Sequence, residues 1–115
     1  MDISLTYITL FVSEVETVRD WYVRHLGLRA ETDSGQFVRL VGTEGAMLGL
    51  HRGAPAQHPE RIQIHFQVLD VDAFCRRLMA DGVTFDREPS DAPWGLRVAS
   101  LRDPAGHTVE IYSPL

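Results

Sequence analysis

The first hydrophobic segment, residues 3–12 (ISLTYITLFV), interleaves apolar, β-branched and aromatic side chains with Ser and Thr, and it predicts a strand. Apolar residues then recur at the spacing of a helix: Val15, Val18, Tyr22 and Leu26. Ser13, with Glu16 three residues later, matches a capping box, and Gly27 suits the left-handed position after the last turn. The chain therefore begins with a strand followed by a helix of about three turns.

Three further strands complete the first half of the chain. Segments 28–33 (LRAETD) and 36–41 (QFVRLV), separated by Ser34-Gly35, predict a hairpin, and 46–52 (AMLGLHR) predicts the strand after it. Residues 53–60 (GAPAQHPE) contain two prolines and a glycine, the composition of a linker. The first half is therefore predicted to have the order βαβββ.

The same order returns after the linker. Residues 61–68 predict a strand and residues 71–81 an amphipathic helix. Three strands follow, at 83–88, 96–101 and 107–113, the last two separated by the turn sequence Asp103-Pro104-Ala105-Gly106. The predicted fold is one α+β domain, residues 1–115, made of two βαβββ modules at about 1–52 and 61–115, joined by linker 53–60.

The two halves can be superposed on their turn residues. Gly45 and Gly106 both precede a final strand, which pairs Gly49 with Glu110. Counting back from the ends of the two first strands pairs Tyr7 with Gln63. We therefore interpret the chain as a diverged internal repeat.

Composition restricts the classes of partner. With 115 residues and 44% hydrophobic content, the chain can form one domain with its own core. The formal net charge is −5 and no run of basic residues forms a stripe, which argues against nucleic acid and anionic membranes as partners. The single cysteine, Cys75, cannot form an internal disulfide, so we expect a reducing, cytoplasmic location.

Three segments resemble the vicinal oxygen chelate superfamily, which contains glyoxalase I, extradiol dioxygenases, and fosfomycin and bleomycin resistance proteins. They are 11–28 (FVSEVETVRDWYVRHLGL), 65–83 (HFQVLDVDAFCRRLMADGV) and 101–114 (LRDPAGHTVEIYSP). The resemblance implies two βαβββ modules that curve a mixed sheet into a cup, with the helices outside. It also implies a cavity inside the cup and, for a short member, a homodimer.

In enzymes of this superfamily, a divalent metal is held by inward-facing residues of the first and last strand of each module. The matching positions here are Tyr7, Gly49, Gln63 and Glu110. Only Glu110 is a usual metal ligand; Gln63 is a neutral oxygen donor, Tyr7 a poor ligand while protonated, and Gly49 has no side chain and leaves room in the cavity. The resemblance is therefore nearest to the metal-poor, bleomycin-resistance-like branch.

An alternative metal site remains open from the sequence. Strand alternation places His65 on the face of Gln63, His51 on that of Gly49, and Tyr112 on that of Glu110. Glu110 with His65 and either His51 or Gln63 forms a ligand set that zinc, iron, manganese or nickel could accept. The alternative function is then a metal-dependent lyase, isomerase or dioxygenase.

Without a metal, the inward residues describe a small-molecule pocket with aromatic faces and a few polar groups. The predicted ligand-binding residues are Tyr7, Gln63, His65, Trp94, Glu110 and Tyr112, with Trp94 on a loop (90–98) that could form a mobile edge. Glu110 would then face a donor or cation of the ligand, be paired with Arg97 or Arg39, or act as a general base.

The leading prediction is a cytoplasmic homodimer that binds a small aromatic or amphipathic organic molecule in its cup without a metal cofactor. A metal-free acid–base catalyst using Glu110 is the third reading, after the metal-dependent enzyme.

Overall fold

The computed structural model describes all of residues 1–115. The chain divides into two compact units, Met1–Gln57 and His58–Leu115. The elements of the first unit are β1 (Tyr7–Val12), α1 (Val15–Leu26), β2 (Arg29–Asp33), β3 (Phe37–Val41) and β4 (Met47–Arg52). Those of the second are a 3₁₀ turn (Pro59–Arg61), β5 (Gln63–Gln67), α2 (Val71–Ala80), β6 (Phe85–Ala92), β7 (Leu96–Arg102) and β8 (Thr108–Pro114). The predicted α+β class with two βαβββ modules is confirmed.

Each unit contains one four-stranded mixed sheet, in the order β1-β4-β3-β2 and β5-β8-β7-β6. The first and last strands of each module pair in parallel, and the other pairs are antiparallel. Each helix packs on its own sheet. Neither helix is long and apolar enough to cross a membrane.

The register of the two parallel pairs agrees with the superposition of the two halves. Thr9 lies opposite Gly49 on β1 and β4, and His65 lies opposite Glu110 on β5 and β8. Since Tyr7 corresponds to Gln63 in the sequence, Thr9 corresponds to His65. Gly49 and Glu110 therefore occupy equivalent places in the two sheets.

Two details at the start of the chain differ from prediction. The first strand begins at Tyr7 rather than at residue 3, because its partner β4 starts at Met47, directly opposite Tyr7. The last upstream contact is the hydrogen bond of 2.8 Å from the Met47 N–H to the Thr6 carbonyl. The capping box does not form: Glu14 is the N-cap, without a side-chain hydrogen bond. The Glu16 carboxylate instead lies 2.6 Å from Nη2 of Arg52.

The end of α1 follows the prediction. Gly27 adopts φ 71° and ψ 20°, and its N–H donates to the Tyr22 carbonyl. This left-handed conformation is inexpensive only for glycine. The helix consequently stops where the sequence indicates.

Candidate functional site

The sheet of the second unit has one face covered by α2. Val109 and Ile111 of β8 are fully buried, whereas the alternate residues Glu110 and Tyr112 are partly exposed. Side chains of a strand alternate between faces, so Glu110 and Tyr112 lie on the face opposite the helix, which we call the open face.

A depression of about 460 Å³ lies on this open face. Its polar lining residues are Gln63, His65 and Glu110, and its apolar ones are Trp94, Leu96, Val98 and Tyr112. The volume falls within the range of small-molecule sites. Five of the six predicted ligand-binding residues therefore line one pocket.

Glu110 and His65 are the polar pair of this pocket. They are direct neighbours across β8 and β5, and Oε2 of Glu110 lies 2.9 Å from Nδ1 of His65. The Glu110 side chain is 23% exposed and that of His65 is 47% exposed. This is a close carboxylate–imidazole contact, although the pair does not have the geometry of a hydrogen bond. Glu110 thus has a partner within its own sheet.

The two arginines considered as partners of Glu110 have other carboxylates, so that interpretation is wrong. Arg97 lies on the helix side, where it donates to both oxygens of Asp72 at 2.9 and 3.0 Å and to Asp91 at 3.0 Å. These two acidic residues raise the pKa of the Arg97 guanidinium further above its usual range. Arg39, in the first unit, lies 3.1 Å from Glu31.

Trp94 occupies a tight turn rather than a long loop. β6 extends to Ala92 because Ser90, Asp91 and Ala92 pair with β7, and the Gly95 N–H donates to the Ala92 carbonyl at 3.2 Å. Gly95 has φ 87°, which a side chain would strain. The Trp94 side chain is 67% exposed at the edge of the pocket. The predicted mobile loop at 90–98 is therefore mostly strand.

The turn between β7 and β8 is built on a buried acid. Asp103 Oδ1 accepts hydrogen bonds from the N–H groups of Ala105 and His107 at 2.9 and 3.0 Å. Its Oδ2 lies 2.7 Å from His107 Nδ1, and both side chains are buried. This network fixes the start of β8, the strand that carries Glu110.

A sequence model described as the Glyoxalase/Bleomycin resistance protein/Dioxygenase superfamily matches residues 4–111. The chain belongs to this superfamily. No curated protein matches the chain. The match to this sequence model confirms the resemblance drawn from the sequence.

Several solved structures of this superfamily's fold resemble the chain. TnmS3, an antibiotic binding protein from Streptomyces sp. CB03234, is 29% identical, with 100% of this chain and 99% of that chain covered and a TM-score of 0.83. TioX from Micromonospora sp. ML1 is 27% identical, with 97% and 99% covered and a TM-score of 0.77. A lactoylglutathione lyase from Agrobacterium tumefaciens, at 22% identity, 95% and 92% coverage and a TM-score of 0.77, shows the fold alone.

Three residues considered for the site, Tyr7, Gly49 and His51, belong to the first unit. The Tyr7 ring lies 6.1 Å from the Phe37 ring and under the Arg39 guanidinium, 5.3 Å away. The His51 Nδ1 lies 2.8 Å from the Arg52 carbonyl oxygen. The lining of the pocket on the second sheet includes none of the three, and a role for Tyr7 in ligand binding stays a prediction.

Gly49 does not leave space, contrary to the expectation from sequence. A Cβ at this position would lie 2.9 Å from Thr9 Oγ1, 3.2 Å from the Phe37 ring and 3.3 Å from the Ile8 carbonyl oxygen. In the first module, residues of β1 and β3 therefore occupy the space that corresponds to the Glu110 side chain in the second module. Any larger side chain at residue 49 requires these neighbours to move.

The residues at the superfamily's four ligand positions do not fit a divalent metal. Glu110 is the only usual metal ligand among them, Gln63 is neutral, Tyr7 is a phenol packed against an arginine, and a side chain at position 49 would meet Thr9 and Phe37. The chain contains no group of three or more His, Cys, Asp or Glu side chains arranged to hold a metal ion.

The sequence did not identify the aliphatic wall of the pocket, Leu96 and Val98. A signal was present: in Leu96-Arg97-Val98-Ala99 the charged Arg97 marks one face, so its neighbours must lie on the other. Which of the two faces α2 covers could not be read from the strand alone.

Proposed function

We propose that this protein binds a small organic molecule, aromatic or amphipathic, on the open face of the second sheet, without a divalent metal. The observation that carries the proposal is the lining of the pocket, in which four apolar side chains lie beside the close carboxylate–imidazole pair of Glu110 and His65. Such a combination provides apolar contact area together with a few polar groups that fix orientation.

The apolar part of the pocket suits a flat ligand. Trp94 is exposed on a turn that contains Gly95 and is closed by the contact between Asp91, three residues before it, and Arg97, three residues after it. An exposed indole face suits stacking on a flat ring. Leu96 and Val98 form the aliphatic wall of the pocket beside Tyr112. Gln63 offers both an amide donor and an acceptor at the other end.

The comparison with TnmS3 supports binding rather than catalysis. That protein is an antibiotic binding protein and covers essentially the same length of chain. Extension of its role to this chain is part of the proposal.

A titration followed by two-dimensional NMR tests the proposal. A panel of neutral aromatic compounds and aromatic antibiotics is added to the ¹⁵N-labelled protein. We expect the amide signals of β5, β7 and β8 to shift together when a compound binds. The substitutions Trp94→Ala and Tyr112→Ala should weaken binding. Shifts confined to α2, or to no coherent surface for any compound, would refute it.

A second candidate function is metal-free acid–base catalysis by Glu110. The contact of 2.9 Å between Glu110 and His65 favours it, because a carboxylate–imidazole pair can accept and return a proton. A bound compound that is converted by the wild-type protein and bound but not converted by Glu110→Gln would support this function.

The metal-dependent lyase, isomerase or dioxygenase is tested by elemental analysis. After purification without chelators and extended dialysis, the proposal predicts substoichiometric zinc, iron, manganese and nickel. One equivalent of metal that is lost in both His65→Ala and Glu110→Gln would restore the metalloenzyme hypothesis.

We further propose that the protein is a homodimer in the cytoplasm. Exposed apolar side chains along the edge strand β1, among them Ile8 at 55% and Phe11 at 52% exposure, support self-association. The absence of any cysteine other than Cys75 is compatible with a reducing compartment. Light scattering coupled to size-exclusion chromatography measures the mass directly.

A further inference from the structure

We propose that Nε2 of His65, rather than the carboxylate of Glu110, accepts a hydrogen bond from the ligand. The ligand is then a neutral planar aromatic molecule with a ring-bound N–H or O–H. This inference rests on the proposed function and specifies the class of molecule that the same pocket binds.

The first step concerns the proton on His65. The carboxylate of Glu110 lies 2.9 Å from Nδ1. Two lone pairs at this distance would repel each other, so the neutral imidazole with its proton on Nδ1 is favoured. The tautomer of a histidine is set in this way by the partner of the other nitrogen. Nε2 of the neutral ring therefore presents a lone pair, and Glu110 acts as a positioning residue.

The second step concerns which atom a ligand can reach. The Glu110 contact is the only polar contact that the His65 side chain makes, and it occupies Nδ1. The His65 side chain is 47% exposed, about twice the 23% of Glu110. Nε2 lies on the ring edge away from Nδ1, so it is the accessible acceptor of the pair.

The third step concerns ligand charge. No lysine or arginine lines the pocket, and the charged and titratable groups that face His65 there are Glu110 and Tyr112. An anionic ligand would meet a carboxylate without a compensating cation, which is unfavourable. A neutral molecule with a hydrogen-bond donor suits the site.

The fourth step concerns ligand shape. His65, Glu110 and Ser100 form one row across β5, β8 and β7, and Tyr112 and Val98 form the next row. Rows on one face of a sheet are separated by two residues, roughly 7 Å. A fused bicyclic ring covers this distance, so its donor can meet His65 while its apolar part lies on Val98 and near Trp94.

The test compares indole with benzofuran, which has the same shape but an oxygen in place of the N–H. Dissociation constants are measured by NMR titration at a pH where the His65 ring is neutral. We expect indole to bind roughly 2- to 10-fold more tightly, the usual net effect of one hydrogen bond. His65→Phe should reduce this ratio to about one, and His65→Gln, whose amide oxygen can accept, should restore part of it.

A matched control lies outside the pocket. His58 and Glu60 form a second His–Glu pair, with Nδ1 and Oε1 3.6 Å apart and both side chains exposed. His58→Phe should leave the indole-to-benzofuran ratio unchanged. The ring ¹⁵N spectrum of His65 should show the proton on Nδ1, and Glu110→Ala should shift the tautomer population towards Nε2–H and lower the ratio.

The outcomes separate the inference from the proposed function. Equal affinities for indole and benzofuran at the pocket, or a proton on Nε2 in the wild-type ring, would overturn the inference while leaving a binding pocket. Failure of both compounds to perturb β5, β7 and β8 up to their solubility limits would overturn the proposed function and the inference with it.

Discussion

Replacement of Asp103 by alanine tests the turn that precedes β8. The substitution removes acceptors for two backbone N–H groups, of Ala105 and His107, and for the His107 ring, at 2.7 to 3.0 Å. The Asp103 side chain is 0% exposed and that of His107 2%, so water cannot replace these bonds without opening the turn.

The expected loss of unfolding free energy is about 3–5 kcal/mol, the range for removing one partner of a buried, hydrogen-bonded pair. For 115 residues, an unfolding entropy of about 2.1 cal/mol/K per residue converts this into a Tm decrease of roughly 12–20 °C. Asp103→Asn should lose less, because its amide oxygen still accepts and its NH₂ can donate to the ring nitrogen.

Urea denaturation followed by circular dichroism and by tryptophan fluorescence measures the change. The control is Asp33→Ala, since Asp33 also accepts a turn N–H, from Gly35 at 2.9 Å, but its side chain is 33% exposed. The loss of unfolding free energy should be smaller for Asp33→Ala than for Asp103→Ala. A loss for Asp103→Ala below about 1 kcal/mol, or one no larger than in the control, would show that burial does not strengthen this network.

Three further predictions follow from packing and charge. Gly49→Ala should lower the free energy of unfolding by about 1–3 kcal/mol in urea denaturation, because the new Cβ would meet the side chains of Thr9 and Phe37. Adding Thr9→Ala should recover part of this loss. Losses that simply add in the double variant would contradict this explanation. Cys75 is 1% exposed and burial raises its pKa to about 11, so the folded protein should not react with thiol reagents at pH 8, whereas the urea-unfolded protein should; rapid native labelling would contradict it. The Arg97 guanidinium lowers the pKa of Asp72, so the stabilising effect of this pair should be present above the ordinary Asp pKa of 3.8 and disappear as the pH falls through the lower folded value. Arg97→Gln should remove this part of the pH dependence of the unfolding free energy, measured in acid titrations. The same pH dependence in the wild-type protein and the variant would exclude the linkage.

Local patterns sufficed for the order of elements. The helical spacing that begins at Val15, the left-handed position of Gly27 and the β-branched runs each act over a few residues, so their outcome is largely independent of the rest of the chain. The superposition of the two halves also held, because the equivalent strands pair in the same register.

Features that need a distant partner were predicted less well. Residues 3–5 have strand composition but are not part of a strand, and Glu16 bonds to Arg52 instead of capping the helix. Glycine at residue 49 suggested space, but Thr9 and Phe37 fill it. In each case the deciding residue lies on another element, beyond the reach of sequence spacing.

Glu110 illustrates the same division. By itself the sequence determined that Glu110 lies in the last strand and shares a face with Tyr112, because strand side chains alternate with a period of two residues. Only the tertiary structure decided that this face is opposite α2, that the aliphatic wall of Leu96 and Val98 lies beside it, and that the Glu110 carboxylate lies 2.9 Å from the His65 ring. Alternation specifies a face, whereas a partner across strands depends on strand order and register, which the packing of the whole sheet determines.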